Sequence, residues 1–508
     1  MREENVGSRS LPKGWALTKL RELSVLVTKG STPTSYGFSY VPEGINFVKV
    51  ENIANGRIER HTIKEFITKD AHDFLKRSQL DEDDVLFSIA GTIGRIGIVH
   101  KEDLPANINQ AVAVIRCPWK FVNPRYLRLF LETSSKQSGL IKRQRGVGMN
   151  NVGLEDVKEI KIPFPPFTEQ GRIVAKLEEL FTRLDAGVDG LRRVKAHLRR
   201  YRQAVMKYAF EGKLTEEWRK AHKDHLEPAT KLLERIREVR KGTTFKGLQP
   251  VNTIDLPTLP EEWTWARIGE IAESMRNGVY RPKDFYGNNG VACLRMYNIE
   301  NGAIVWKYIK RMNLRPEEIE FYELQPGDIL VNRVNSRELV GKAAAIPSGL
   351  ERCVYESKNI RLRLLNDYAD SRYVNFWFLM YSKKFFSRNA QQTVGMASIN
   401  QEQLASMPIP FCHPNEQTKA VEEIERLFSM ADGVEKIATE SIEQADGMRQ
   451  SILKMAFEGT LIPQDPSDEP AERLLERIKA EKAKLRGQKD INKKRSQPKQ
   501  LELSTYVK

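Results

Sequence analysis

The sequence predicts a mixed chain, α+β / α/β in class, that is built twice. Two similar globular domains and a pair of long coiled-coil-like helices are related by a pseudo-twofold internal repeat. Three observations carry this reading. The second half can be laid on the first with a period of about 247 residues. Each half opens with short β-branched runs set between Gly and Asn turns. Each half then passes a proline-rich stop into a long stretch whose apolar residues alternate by three and four.

The repeat is legible in paired motifs. Leu11-Pro-Lys-Gly-Trp15 returns as Leu259-Pro-Glu-Glu-Trp263, Asn52-Ile-Ala-Asn-Gly56 as Asn298-Ile-Glu-Asn-Gly302, and Asp84-Val-Leu86 as Asp328-Ile-Leu330. Further on, Val147-Gly-Met149 matches Val394-Gly-Met396, Ile162-Pro-Phe164 matches Ile409-Pro-Phe411, and Glu169-Gln170 matches Glu416-Gln417. The clearest pair is Lys207-Tyr-Ala-Phe-Glu-Gly-Lys-Leu214 with Lys454-Met-Ala-Phe-Glu-Gly-Thr-Leu461. Between these anchors the halves diverge.

Length and composition fit this organisation. A chain of 508 residues holds about three or four structural units, which excludes a single small module. Apolar residues make up 40% and charged residues 29%, enough to bury a core and too apolar for wholesale disorder. The formal net charge of +15 favours a polyanionic partner through phosphate neutralisation. No apolar run is long enough to span a bilayer, and the start lacks the apolar core of a secretory signal, so a cytoplasmic protein is expected. Cys117, Cys293, Cys353 and Cys412 lie far apart without a CxxC pair, which fits reduced structural thiols and no disulfide framework or zinc ribbon.

Within the globular parts, Ile45–Val50, Val85–Ile89, Ala111–Ile115 and Ile360–Leu364 read as strands, while Tyr126–Leu131 and Tyr373–Leu379 read as helices. The expected boundaries are 1–165 for the first globular domain, 166–250 for a central helical region, 251–412 for the second domain, 413–486 for a distal helical region and 487–508 for a basic disordered tail. In that tail the apolar period stops, and from Lys482 onward nine Lys or Arg face two Asp or Glu. The expected seam of the first long helix is Leu177, Leu180, Leu184, Gly187, Leu191, Val194, Leu198, Tyr201, Val205 and Tyr208. In the second it is Ile424, Leu427, Ala431, Val434, Ala438, Ser441, Ala445, Met448, Ile452 and Met455. A mean spacing of 3.5 keeps one stripe facing a partner helix, and two such seams in one chain imply that they pair over roughly 60 Å. Gly187, Gly190, Gly433 and Ser441 are the expected weak points.

Several fragments resemble catalytic motifs and are better explained structurally. Gly91-Thr-Ile-Gly94-Arg-Ile-Gly97 has neither the dinucleotide nor the Walker spacing and reads as a glycine-shaped turn. Asn123-Pro-Arg-Tyr126 differs from the Asn-Pro-Pro-Tyr of amino-methyltransferases at Arg125 and reads as a helix start. Glu159-Ile-Lys161 lacks an upstream acidic partner for a nuclease site. His222 with His225, and Cys412 with His413, lack the further ligands a metal needs. No catalytic residue and no metal site is expected.

Recognition remains. Arg grips guanine and Asn or Gln grips adenine bidentately, while Ser, Thr and Lys hold phosphate. Candidate DNA contacts in the first half are Lys29, Ser31, Thr32, Lys49, Arg95, Arg143, Gln144 and Arg145. In the second they are Arg276, Asn277, Tyr280, Arg281, Arg295, Arg333, Asn335, Arg337, Gln391 and Gln392. The whole order of variable region, Ile-Pro-Phe, Glu-Gln, long helix and Ala-Phe-Glu-Gly-x-Leu, repeated once, resembles the specificity subunits of type I restriction-modification systems over nearly the full chain.

The resemblance implies two target recognition domains, each reading one half of an asymmetric bipartite double-stranded DNA site, with antiparallel conserved helices fixing the gap. It implies a non-catalytic chain that binds no cofactor. Two modification subunits using S-adenosylmethionine for adenine methylation, and restriction subunits using ATP and Mg, are then the expected partners. A duplicated coiled-coil adaptor whose charge is incidental, or a fused methyltransferase or nuclease, are the competing readings. The first predicts no selective DNA binding, and the second predicts activity of the chain alone.

Overall fold

A computed structural model describes residues 11–137, 152–239, 248–393 and 396–495. Two compact units divide the chain: one takes residues up to Gly190 and from Ser441 onward, the other Leu191–Glu440. Each unit therefore contains one globular domain, the start of one long helix and the end of the other.

In the first unit a six-stranded sheet runs in the order Leu26–Lys29, Val112–Arg116, Val85–Ser88, Ile96–Ile98, Gly56–Ile58 and Ile53–Ala54. A smaller sheet pairs Ile45–Val48 with Phe66–Ile67 and, in parallel, with Ala106–Ile108. The second unit follows the same plan, with Ala272–Asn277, Asn359–Leu364, Ile329–Asn332 and Ala343–Ala345 in one sheet. Its second sheet holds Tyr286–Gly287, Lys310–Met312, Val291–Leu294 and Cys353–Tyr355. In each unit a short antiparallel clasp joins the ends of the domain: Ala16 faces Phe164 in one and Thr264 faces Phe411 in the other.

The two expected domain helices are longer than their apolar cores, at Pro124–Gln137 and Ser371–Asn389. Asn123 and Asp370 start them by accepting backbone N–H bonds from Arg125 and Arg372 at 2.9 and 2.8 Å, which satisfies donors the helix cannot. Their buried tyrosines, Tyr126 and Tyr373, donate to the carbonyls of Pro163 and Pro410. The proline-rich stop is thereby tied to the domain that precedes it.

The long helices run unbroken over Phe167–Phe210 and Pro414–Phe457. Gly187, Gly190 and Gly433 interrupt neither, and a Cβ built on any of them meets nothing within 4 Å. In the second unit Lys195 bonds Thr439 and Arg202 pairs with Glu435 at 2.9 Å and with Asp432 at 2.5 Å. Seven residues up one helix thus correspond to seven down the other, which makes the pair antiparallel there. In the first unit Arg449 pairs with Asp185 and stacks on Phe181, 4.3 Å from the ring centre.

The positions of the expected seam differ in burial. Leu177, Leu184, Leu191, Leu198 and Val205 are buried or half-buried, as are Ile424, Ala431, Ala438, Ala445 and Ile452. Several alternate positions lie one residue further on. Val188, Lys195, Arg202 and Ala209 turn inward rather than Gly187, Val194, Tyr201 and Tyr208, while Leu180 and Phe181 are half-buried alike. In the other helix Glu435, Arg449 and Ala456 do so rather than Val434, Met448 and Met455, while Leu427 and Phe428, like Ser441 and Ile442, are half-buried alike. Leu180, Leu427 and Ser441 are only half-buried, while Tyr201 is 41% and Met448 56% exposed. At Lys195, Arg202 and Arg449 the reason is that Lys and Arg bury their aliphatic stems and pair across the interface, a choice that apolar periodicity cannot register.

Each Ala-Phe-Glu-Gly ends a long helix. Phe457 packs edge-on against Tyr126 and Phe130 in the first unit, and Phe210 against Tyr373 and Trp377 in the second. Gly212 and Gly459 follow with φ of 72° and 71°. A Cβ there would lie 2.5 Å from Pro260 or 2.3 Å from Pro12, the prolines of the Leu-Pro-x-x-Trp motifs. The final helix, Ala471–Arg495, extends past Arg486, where a disordered tail was expected to begin. Among the described residues no helix is long and apolar enough to cross a membrane. All four cysteines are free, and burial pushes the thiols of Cys117, Cys293 and Cys353 up to about 12.

These glycines predict opposite effects. Gly187→Ala and Gly433→Ala should each stabilise by up to about 1 kcal/mol, because the helix gains and nothing is displaced. Gly212→Ala or Gly459→Ala should cost about 1–3 kcal/mol through left-handed backbone strain and collision. Thermal unfolding of the four variants checks the signs.

Candidate nucleic-acid interface

Each domain projects loops from the same backbone frame and dresses them differently. Gly30 and Gly278 hold the first loop down, since a Cβ would lie 2.0 Å from the Ile108 carbonyl oxygen or 2.3 Å from that of Glu356. Only glycine lets the chain cross there. Beyond Gly30, Lys29-Gly-Ser-Thr-Pro33 presents an exposed Lys29 and half-buried Ser31 and Thr32, with the Thr32 hydroxyl donating to Gln110. Beyond Gly278, the second loop presents Tyr280, exposed and aromatic, next to Arg281.

The arginines of that second loop are partly committed. Arg276 stacks on Phe321 at 3.7 Å from the ring centre and donates to the same residue's carbonyl, while Arg281 pairs with Glu318. Asn277 closes its strand with its side chain exposed.

The second shared frame is the Asn-x-x-Asn-Gly turn. Asn52 Oδ1 accepts the Lys49 N–H at 2.8 Å, and Asn298 Oδ1 accepts that of Arg295 at 3.0 Å. The Lys49 ammonium pairs with Glu65 and stands 5.5 Å from the ring of Tyr40. Burial, reinforced by Glu65, raises the Tyr40 pKa, so its phenol stays neutral. Arg295 lies 5.6 Å from the ring of Tyr297 and donates to the Tyr308 carbonyl at 3.4 Å. Tyr297 and Tyr308, both exposed, were not among the candidates; only their place beside the Asn298 motif could have drawn attention to them.

Two candidates are structural. Arg95 donates to the carbonyls of Val50 and Ile53 at 3.2 and 3.4 Å, holding the turn it reaches across. Asn335 is buried and donates to Asn332 at 2.8 Å. Arg333 is half-buried, with its backbone N–H bonded to Lys358, whereas Arg337 is exposed and touches the Ser387 carbonyl. Gln391 is exposed in the strand Gln391–Thr393, where Gln392 faces Ala397. Arg143, Gln144 and Arg145 lie outside the described residues.

The catalytic look-alikes resolve as turns and ties. Gly91 and Gly94 adopt φ of 71° and 87° in a loop between the strands Val85–Ser88 and Ile96–Ile98. Glu159 pairs with Lys19 at 2.7 Å and with Arg21. Among the described residues no group of three or more His, Cys, Asp or Glu could hold a metal ion.

Residues 12–188 and 260–444 match the type I restriction modification DNA specificity domain. The chain belongs to this family. It is 27% identical over 500 residues to the type I restriction enzyme EcoKI specificity subunit of Escherichia coli (strain K12), spanning 95% of this chain and 99% of that one. It is 26% identical over 499 residues to the StySPI specificity subunit of Salmonella potsdam, with the same coverage. The crystal structure of the HsdS subunit from Thermoanaerobacter tengcongensis shares its fold, with a TM-score of 0.56 and 20% identity over 90% of this chain and 99% of that one. A chain from a structure of type I restriction-modification complex assembly gives 0.60 and 20% over 89% and 100%. This specificity subunit is thus DNA-binding, and its two globular domains are target recognition domains.

The placements separate exposed candidates from residues bound into the fold. Lys29→Ala should leave thermal stability unchanged, weaken DNA binding for all sequences and lower the salt slope by about one. Asn335→Ala should instead cost about 1–3 kcal/mol of stability through its orphaned partner. Unfolding curves and salt-titrated DNA binding, measured on both variants, check the division.

Proposed function

We propose that this chain is the non-catalytic reader of a type I complex, in which each recognition domain reads one half of an asymmetric bipartite DNA target. The helix pair sets the unread gap between the half-sites. Two modification subunits carrying S-adenosylmethionine methylate adenine in the target, and restriction subunits using ATP and Mg cleave unmodified DNA, all in the cytoplasm. The observation that carries this reading is that equivalent frames present unlike side chains. Lys49 and Glu51 stand where the second domain has Arg295 and Tyr297, and Ser88-Ile-Ala where it has Asn332-Arg-Val. Two readers that share a scaffold but not a surface demand unequal half-sites.

Replacing residues 16–160 by another recognition domain should change one half of the methylated sequence and leave the other intact. A change in both halves contradicts the two-reader arrangement.

The outer side of the helix pair supports docking of the modification subunits. In the second unit Val194, Tyr201 and Tyr208 form a stripe seven residues apart, each one position before the seam. Val434 holds the same place on the opposing helix, beside exposed Met430 and Ile437. In an antiparallel pair those positions share a flank, so the stripe is a contiguous apolar face of the kind that marks a protein interface. Paired Tyr201→Asp and Val434→Asp substitutions should reduce co-purification of modification subunit by tenfold or more while leaving the thermal unfolding of the chain unchanged.

A further inference from the structure

The turn that follows the Asn298 frame carries a tyrosine in a conformation its side chain disfavours. Among the described residues four non-glycines have φ in the left-handed region: Asn55, Asp83, Asn301 and Tyr308, the last at 54°. Asn and Asp tolerate that region through local hydrogen bonds, whereas an aromatic residue there is a genuine outlier held by its surroundings. Such strain persists only where the structure around it over-determines the conformation.

The surroundings here do so. Asn298 Nδ2 donates to the carbonyls of Val305 at 3.0 Å and Lys307 at 2.9 Å, its own carbonyl accepts the Val305 N–H at 2.9 Å, and Arg295 donates to the carbonyl of Tyr308 itself. The Tyr308 ring, so presented, is 91% exposed. Nothing in the fold is gained from this ring, because it packs on no core. Tyr297, whose ring stands 5.6 Å from the Arg295 guanidinium that holds the Tyr308 carbonyl, is 68% exposed, and Lys307 and Lys310 are exposed with no carboxylate partner among the described residues.

The first domain uses the same frame differently. There Asn52 Nδ2 donates to both the carbonyl and the hydroxyl oxygen of Thr62, at 2.9 and 3.0 Å, which draws that residue inward. Its counterpart of Tyr297 is Glu51. At this frame, among the described residues, the aromatic tip flanked by lysines occurs in the second domain and not in the first.

We propose that Tyr308 is a stacking wedge: it enters a base step of the half-site read by the second domain, with Lys307 and Lys310 on the flanking phosphates. Aromatic rings stack on bases whatever their sequence, and a rigidly held wedge reads how readily a step opens rather than its hydrogen-bond edge. The second half-site would then contain one step selected for deformability. This inference rests on the split-target reading above.

The test uses the complex of this chain with its modification subunits and a duplex carrying the target mapped by its methylation, with 2-aminopurine placed at successive positions. Away from the adenines that the modification subunits themselves flip out of the stack, the wild-type complex should brighten the probe at one step of the second half-site and at none of the first. Tyr308→Gly should lose that signal and bind about tenfold more weakly or worse, yet unfold at the same temperature or higher, since glycine accepts the backbone conformation without strain. Tyr308→Phe should retain both signal and affinity. Undiminished binding by Tyr308→Gly, or weakened binding with no bright step in wild type, overturns the wedge and leaves the split-target reading standing. A wild-type complex that binds no duplex selectively overturns both.

Discussion

At the first turn of each long helix a buried glutamate accepts the indole N–H of a buried tryptophan: Glu169 from Trp15 at 3.1 Å, Glu416 from Trp263 at 2.9 Å. The neighbouring glutamines complete the lock. Gln170 accepts the Asn123 N–H and donates to the carbonyls of Phe121 and Pro165, while Gln417 does the same with Asp370, Tyr368 and Cys412. Buried amides as fully satisfied as these glutamines are costly to disturb, so the direction in which each helix leaves its domain is fixed. The rest of the architecture depends on that direction. The two locks are not identical, because Glu416 is also met by Thr215 and Arg219, whereas Glu169 has one oxygen without a partner and burial raises its pKa.

From these locks each helix runs to an Ala-Phe-Glu-Gly end that packs its phenylalanine beneath a domain tyrosine, with a left-handed glycine that only a close-set proline explains. Each unit receives the start of one helix and the finish of the other, so one sequence pattern serves both. Charges in the seam, at Lys195, Arg202, Glu435 and Arg449, hold the register through specific pairs, and apolar side chains are left over for the outer face. The same substitution of roles that weakens the seam as a hydrophobic stripe thus leaves apolar side chains such as Val194, Tyr201 and Val434 exposed on the outer face.

Much of this was legible in the sequence because it is written twice. The repeat exposed the Glu-Gln, Leu-Pro-x-x-Trp and Ala-Phe-Glu-Gly motifs as anchors, and the strand and helix cores followed from periodicity and capping at Asn123 and Asp370. The seam shifts by one residue where hydrophobicity favours Tyr201 over Arg202, and only the cross-helix partner reverses that preference. The candidate site was less legible. Side-chain chemistry nominated Arg95 and Asn335, but it could not reveal that backbone carbonyls and Asn332 already occupy them. Tyr308 was missed for the opposite reason: its importance lies in a backbone angle and an exposure that no residue type announces.

The central claim is that two unlike readers on a shared scaffold direct modification to one split sequence. Base-resolved mapping of adenine methylation in the host, with this chain's gene intact and deleted, tests it most directly. The account predicts that deletion abolishes methylation at one bipartite, asymmetric motif and leaves every other motif untouched. A methylation pattern unchanged by the deletion would contradict it.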